Sequence, residues 1–224
     1  MITISCSVIF VYVIMDKNYG CAILAGGAGK RMGHINKAEL EYGEKTFVEC
    51  IMAEMKRMGM PCYLSTARYR QNVPDGWINV RDRVSGEDGV YIGPMGGIYS
   101  CLLQASADGL DGVFFVPCDA PRFTSEITCK LSDYIRPDTD AVLWRSADGK
   151  LQTTFGWYSV SCIPAMKEEI DSSKYKLVRM LSKVRCVIID TAEAGIEDVL
   201  FSNINSPEDY QKLRSENDRR HILI

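Results

Sequence analysis

The residues whose types and spacing could do chemistry begin with one run, Cys21-Ala-Ile-Leu-Ala-Gly-Gly-Ala-Gly-Lys-Arg-Met-Gly33, followed by Lys37. Leu24, Ala25 and the apolar residues before them read as the end of a buried strand that runs straight into Gly26, Gly27 and Gly29. Glycine lets the backbone turn sharply and approach a ligand with no Cβ in the way. The N–H groups of such a loop can form a concave nest for an anion such as a triphosphate. Lys30, Arg31 and Lys37 add positive charge beside it, and an arginine grips phosphate oxygens in pairs. The chemistry is phosphate binding at the C-terminal end of a first strand.

Spacing excludes two familiar loops. A P-loop requires a glycine where Leu24 stands and Ser or Thr where Arg31 stands, and the dinucleotide fingerprint fails at Met32. Three further features fall at predicted strand ends: Asp82, the loop Gly93-Pro-Met-Gly-Gly97, and the turn Pro117-Cys-Asp-Ala-Pro121. In a doubly wound sheet those ends line one crevice. Two backbone-exposing loops and a rigid Asp119 suit a nucleoside triphosphate with Mg²⁺, an ion that takes few protein carboxylates and fills its shell with phosphates and water. Asp119 is the candidate metal carboxylate, and Arg31, Lys37 and Asp119 are the candidate catalytic set. His34 reads as a solvated loop residue. No Ser-His-Asp or Cys-His arrangement supports covalent hydrolysis.

The elements that must position these residues can be read from periodicity. Phe47, Ile51, Met55 and Met58 lie at helical spacing over 46–58, with Gly59 and Pro61 as the stop. Strands are expected over 62–67, 78–81, 113–116, 141–144, 153–160 and 186–190. Helices are expected over 98–104 and 126–135, and from Ser206, with Pro207 at the first helical position and Asp209 at the third. Strands alternating with helices over 224 residues give a single doubly wound, mostly parallel α/β sheet with helices on both faces, a Rossmann-like fold. Residues 15–224 read as one domain, with a nucleotide-binding N-terminal half. The gap from Arg145 to Val160 suggests a more irregular acceptor half.

Composition narrows the class. A net charge of −3 argues against nucleic-acid binding, so a local basic cluster meets a small anion instead. The nine cysteines contain no C-x-x-C pair, and several sit in apolar runs, as free thiols of a reducing cytoplasm do. Residues 2–14 are almost wholly apolar but short of the roughly 20 needed to span a bilayer. They are read as an extension ahead of a natural start at Met15.

The set Leu24-Ala-Gly-Gly-x-Gly-x-Arg-Met-Gly33 with Lys37, Asp82, Gly93-Pro-Met-Gly-Gly-Ile98, Pro117-Cys-Asp-x-Pro121 and Asn203-Ile-Asn-Ser-Pro-Glu-Asp209 resembles the molybdenum cofactor guanylyltransferase (MobA) family. The first motif is shared by many nucleotidyltransferases; the other glycine loop, the proline-flanked Asp and the C-terminal motif, in this order, are more specific. The related cytidylyltransferases usually carry D-M-P at the turn. The resemblance implies transfer of GMP from GTP to the terminal phosphate of molybdopterin, with release of pyrophosphate. A cytidylyltransferase or another small-molecule nucleotidyltransferase of the same fold is the alternative. The guanylyltransferase resemblance implies a nucleotidyltransferase fold and GTP contacts at Leu24, Ala25, Gly26, Lys37 and Asp82, with Mg²⁺ and nucleotide at Asp119. Gly27, Gly29 and Gly93 join these from the loop reading. Ser65 falls where the family often has Asn, and Asn203 and Asn205 fall on the pterin side. His34 and Asn36 replace the family's usual Gly and Asp. The resemblance leaves room for transient contact with molybdoenzymes or cofactor chaperones.

Overall fold

The computed structural model describes residues 18–26, 37–66, 73–86 and 91–222. The first fourteen residues, and Gly27, Gly29 and Arg31, lie outside them. Strand β1 (Tyr19–Leu24) is buried along its whole length. Its side chains divide by alternation: Cys21 and Ile23 enter the core on one face, Ala22 and Leu24 the core on the other. That is the pattern of a strand covered on both sides, where the sequence is a continuous apolar run.

A two-residue-strand hairpin, β2 (Glu41–Tyr42) and β3 (Lys45–Thr46), leads into α1 (Phe47–Lys56). Thr46 and Glu49 start this helix as a reciprocal capping box, Thr46 Oγ1 accepting from the Glu49 N–H while Glu49 Oε2 accepts from the Thr46 N–H. Phe47, Ile51 and Met55 are fully buried beneath it. β4 (Cys62–Ser65) and β5 (Trp77–Val80) follow, then α2 (Pro94–Ala107) and β6 (Gly112–Pro117). α1 packs with one core and α2 with the other, so the sheet is wound on both faces.

The rest of the chain is α3 (Ser125–Ser132), β7 (Ala141–Arg145), β8 (Leu151–Ser159), α4 (Ile163–Asp171), α5 (Leu177–Leu181), β9 (Cys186–Asp190) and α6 (Pro207–Ile222). The seven strands of the main sheet lie in the order β5-β4-β1-β6-β8-β7-β9. All are parallel except β8, which runs antiparallel to both neighbours.

The fold bears out the expected α/β class and corrects it in detail. The region from Arg145 to Val160 belongs to a hairpin, β7–β8, whose register shifts between Leu143 and Trp144 and which is closed by Ser146 N–H to Lys150 C=O and Gly149 N–H to Ser146 C=O. A connection that short can join only antiparallel strands, since a parallel crossover needs a dozen or more residues. α2 begins at Pro94, four residues before the expected start, because proline with its fixed φ suits the first helical position. α4 and α5 had no expectation. No described helix is long and apolar enough to cross a membrane.

Candidate functional site

Register alone collects the candidate residues. Leu24 pairs with Ser65 and with Pro117, and Ser65 with Val80, so these four form one row across β5, β4, β1 and β6. Gly26, Asp82 and Asp119 each lie two residues beyond this row, at the C-terminal ends of parallel strands. The chain runs from β1 outward to β4 and β5 and then crosses back to β6 on the other side of β1, which makes the β1–β6 boundary the switch point where open sheets bind ligands.

The first loop leaves the sheet pinned on both sides. The Ala25 N–H donates to the Ser65 carbonyl at 2.8 Å, and the Leu24 carbonyl accepts the Cys118 N–H at 3.1 Å. Description resumes at Lys37, in a short 3₁₀ turn over Lys37–Glu39 anchored by buried Ala38. Lys37 Nζ lies 2.8 Å from Asp119 Oδ2 and 2.7 Å from Asn205 Oδ1. The side chains of Lys37 and Asp119 are 17% and 16% exposed, partly shielded yet open to the crevice.

Asp119 owes its place to β6 and the turn after it. The strand ends at Pro117, the Phe123 N–H closes back on the Ala120 carbonyl, and the Asp119 carbonyl accepts the Ile204 N–H at 2.9 Å. Its neighbour Cys118 is buried, and burial pushes its thiol up to about 12. On the far side of Lys37, the Asn205 and Ser206 N–H groups both donate to Asp209 Oδ2 while Asp209 N–H donates to Ser206 Oγ. These bonds, that from Asn205 first, hold the Asp209 carboxyl below its ordinary range. The Asn203 side-chain oxygen is buried with no hydrogen-bond partner among the described residues.

The start of α2 closes the other side. Gly93 has φ +77°, a left-handed conformation that glycine adopts without strain. At Gly97 a Cβ would sit 2.6 Å from Ser65 Oγ and 3.2 Å from Leu24 Cδ2, so the first helical turn rests directly on the ends of β4 and β1. Ser65 is 2% exposed beneath it. A Cβ at Gly96 would lie 3.1 Å from Asp82 Oδ2, which puts the buried Asp82 carboxylate against the same turn. Burial and then the Asp82 charge raise the Tyr91 phenol. Asp82 also lines a cavity of about 440 Å³ with Asn79, Arg81, Arg83 and Gln104. The positive end of the helix dipole at this turn favours an anion.

Lys37, Asp119 and Asn205 are thus brought together, as are Leu24, Ala25, Ser65 and the first turn of α2 that follows Gly93. Asp82 joins from β5. Ser65 reaches this site as a buried support under Gly97. Two contacts had no signal in the sequence. One is the Asn205–Lys37 bond across 168 residues of chain. The other is Arg122, just after the proline-flanked turn, whose guanidinium pairs with Glu216 on α6.

The donor set fits a hard divalent ion in one specific way. No group of three or more His, Cys, Asp or Glu side chains gathers among the described residues. One carboxylate, Asp119, faces a crevice suited to phosphates, and Mg²⁺ is bound by one or two carboxylates plus substrate phosphates and water.

Comparison with known proteins converges on one group. The family model for the MobA-like NTP transferase domain matches residues 21–186. A protein of Vibrio campbellii named molybdenum cofactor guanylyltransferase is 26% identical over 187 residues, covering 84% of this chain and 90% of that protein. A Shewanella woodyi protein of the same name is 28% identical over 200 residues, covering 89% and 97%. Among solved structures, the Archaeoglobus fulgidus molybdopterin-guanine dinucleotide biosynthesis protein A superposes with TM-score 0.69 at 17% identity, covering 89% of this chain and 99% of that one. The Thermus thermophilus 2-C-methyl-D-erythritol 4-phosphate cytidylyltransferase superposes with TM-score 0.64 at 11% identity, over 89% and 99%.

Proposed function

The chain belongs to the MobA-like NTP transferase family, and from that premise we propose that it transfers GMP from GTP to the terminal phosphate of molybdopterin, releasing pyrophosphate and forming the guanine dinucleotide cofactor. The observation that carries the reading is the Lys37–Asp119 pair, 2.8 Å apart at the switch point. Relatives named for guanylyl transfer that align over most of the chain support the choice of GTP over CTP.

The acceptor phosphate is already an anionic nucleophile and needs no strong base. Its oxygen forms the new bond to the α-phosphorus of GTP, the bond to the bridging oxygen breaks in line, and pyrophosphate leaves with the electron pair. Such transfers are accelerated by positioning and charge neutralisation. The Lys37 ammonium offsets the negative charge that builds on the phosphates, and Arg31 would grip the departing pyrophosphate. Leu24, Ala25, Gly26, Gly27 and Gly29 carry the loop that takes the triphosphate, with Ser65 holding the strand ends beneath it. The first turn of α2 after Gly93 adds N–H donors, and Asp82 accepts from a donor group of the nucleoside. Asp119 would hold Mg²⁺, which when bound neutralises and orients phosphate oxygens. Asn203 and Asn205 lie on the acceptor side, so the N-terminal half of residues 15–224 serves the nucleotide and the C-terminal half the pterin. The cytoplasm, where GTP is available, is the expected setting, and product could pass there to a molybdoenzyme or chaperone.

Thermal unfolding with Mg²⁺ and each of GTP, CTP, ATP and UTP tests the nucleotide assignment. At a ligand concentration about 100 times Kd the stabilisation is roughly 2.7 kcal/mol, a shift on the order of 5–10 °C for a chain of this size. The shift is expected with GTP. One confined to CTP would assign the chain to cytidylyl transfer instead, and none with any nucleotide would contradict the phosphate-loop assignment.

A further inference from the structure

We propose that Asn205 is a positioning residue for the transfer: beyond its place on the acceptor side, its side-chain oxygen aims the Lys37 ammonium into the crevice. The proposal rests on the function assigned to this site above.

An ammonium has three N–H donors and no acceptor. Two of the three directions at Lys37 are taken, one by Asp119 Oδ2 at 2.8 Å and one by Asn205 Oδ1 at 2.7 Å. Because Nζ can only donate, the Asn205 atom facing it is the oxygen, which fixes the orientation of the amide. A lysine stem is long and flexible, and one bond would leave the ammonium free to swing about Asp119. Two bonds fix its direction and leave the third donor for an incoming phosphate.

Asn205 is itself held. Its N–H donates to Asp209 Oδ2 at 3.0 Å and its Nδ2 to the Asn203 carbonyl at 3.4 Å. The preceding residue, Ile204, is buried with Phe47 and Leu213 and donates its N–H to the Asp119 carbonyl at 2.9 Å. One short segment therefore sets both members of the ion pair, Asp119 through the main chain and Lys37 through an amide. A neutral acceptor does this without adding a second negative charge where a polyanion must arrive.

The test is a double-mutant cycle in GTP affinity, measured by titration calorimetry with Mg²⁺ on wild type, Asn205→Ala, Lys37→Ala and the double variant. Asn205→Ala is expected to weaken GTP binding about 10-fold, the scale of one hydrogen bond to a charged group. It should move the thermal midpoint of the free protein by less than about 2 °C. In the Lys37→Ala background the same change should weaken binding by less than about 2-fold. In turnover, kcat should fall for Asn205→Ala. An equal loss with and without Lys37, or no loss at all, would each overturn the proposal. Absence of GTP binding by the wild type is a separate result, which removes the site assignment and this proposal with it.

Discussion

At the level of single residues, the account stands on Asp119 and Lys37. Both were legible in the sequence: Asp119 because prolines flank it at the end of an apolar run, Lys37 because it follows a glycine-rich loop with other cations. Their 2.8 Å contact joins positions 82 residues apart, and only the shared end of β1 and β6 explains it. Asp119→Ala is expected to lower kcat by roughly 100-fold or more, the scale on which one electrostatic group in an active site matters. Turnover within a few-fold of the parent would remove Asp119 from the mechanism. The Asn205 contact was not legible, because nothing in an Asn-x-Asn spacing says which distant side chain it will meet. Its partner is fixed by where α6 docks: Tyr210 donates to the Glu41 carbonyl and packs against Phe47.

Among the elements, the first turn of α2 does most to shape the crevice, and its sequence signal was misread as a loop. Glycines at 96 and 97 suggest flexibility, yet here they permit close packing: the helix lies so near β1 and β4 that no side chain fits. Gly97→Ala would push a methyl group to within 2.6 Å of Ser65 Oγ. Overpacking of this kind costs about 1–3 kcal/mol. Urea unfolding should show that loss in Gly97→Ala and recover much of it in Ser65→Ala/Gly97→Ala, where the clashing oxygen is gone. Equal destabilisation in both backgrounds would mean that the helix does not rest on Ser65. α1 was the easier element to read, since Thr46 and Glu49 carry a start signal and its apolar residues recur at helical spacing.

For the whole molecule, alternating strands and helices sufficed to predict a doubly wound sheet, and the C-terminal strand ends sufficed to predict which candidate residues the fold gathers. The direction of β8 was not predicted. Its residues 151–159 read as a strand either way, and only the short turn before it decides the matter. α4 and α5 were missed because they are short, nine and five residues. Under the proposed function, the strand ends of β1, β4 and β5 would take the nucleotide and the Asn203–Asn205 segment the acceptor, with the two substrates meeting at Asp119. Pyrophosphate release, followed with molybdopterin as acceptor and GTP or CTP as donor, tests this most directly. The account predicts release with GTP that requires molybdopterin and yields a guanine dinucleotide; release with CTP alone, or none with either donor, would contradict it.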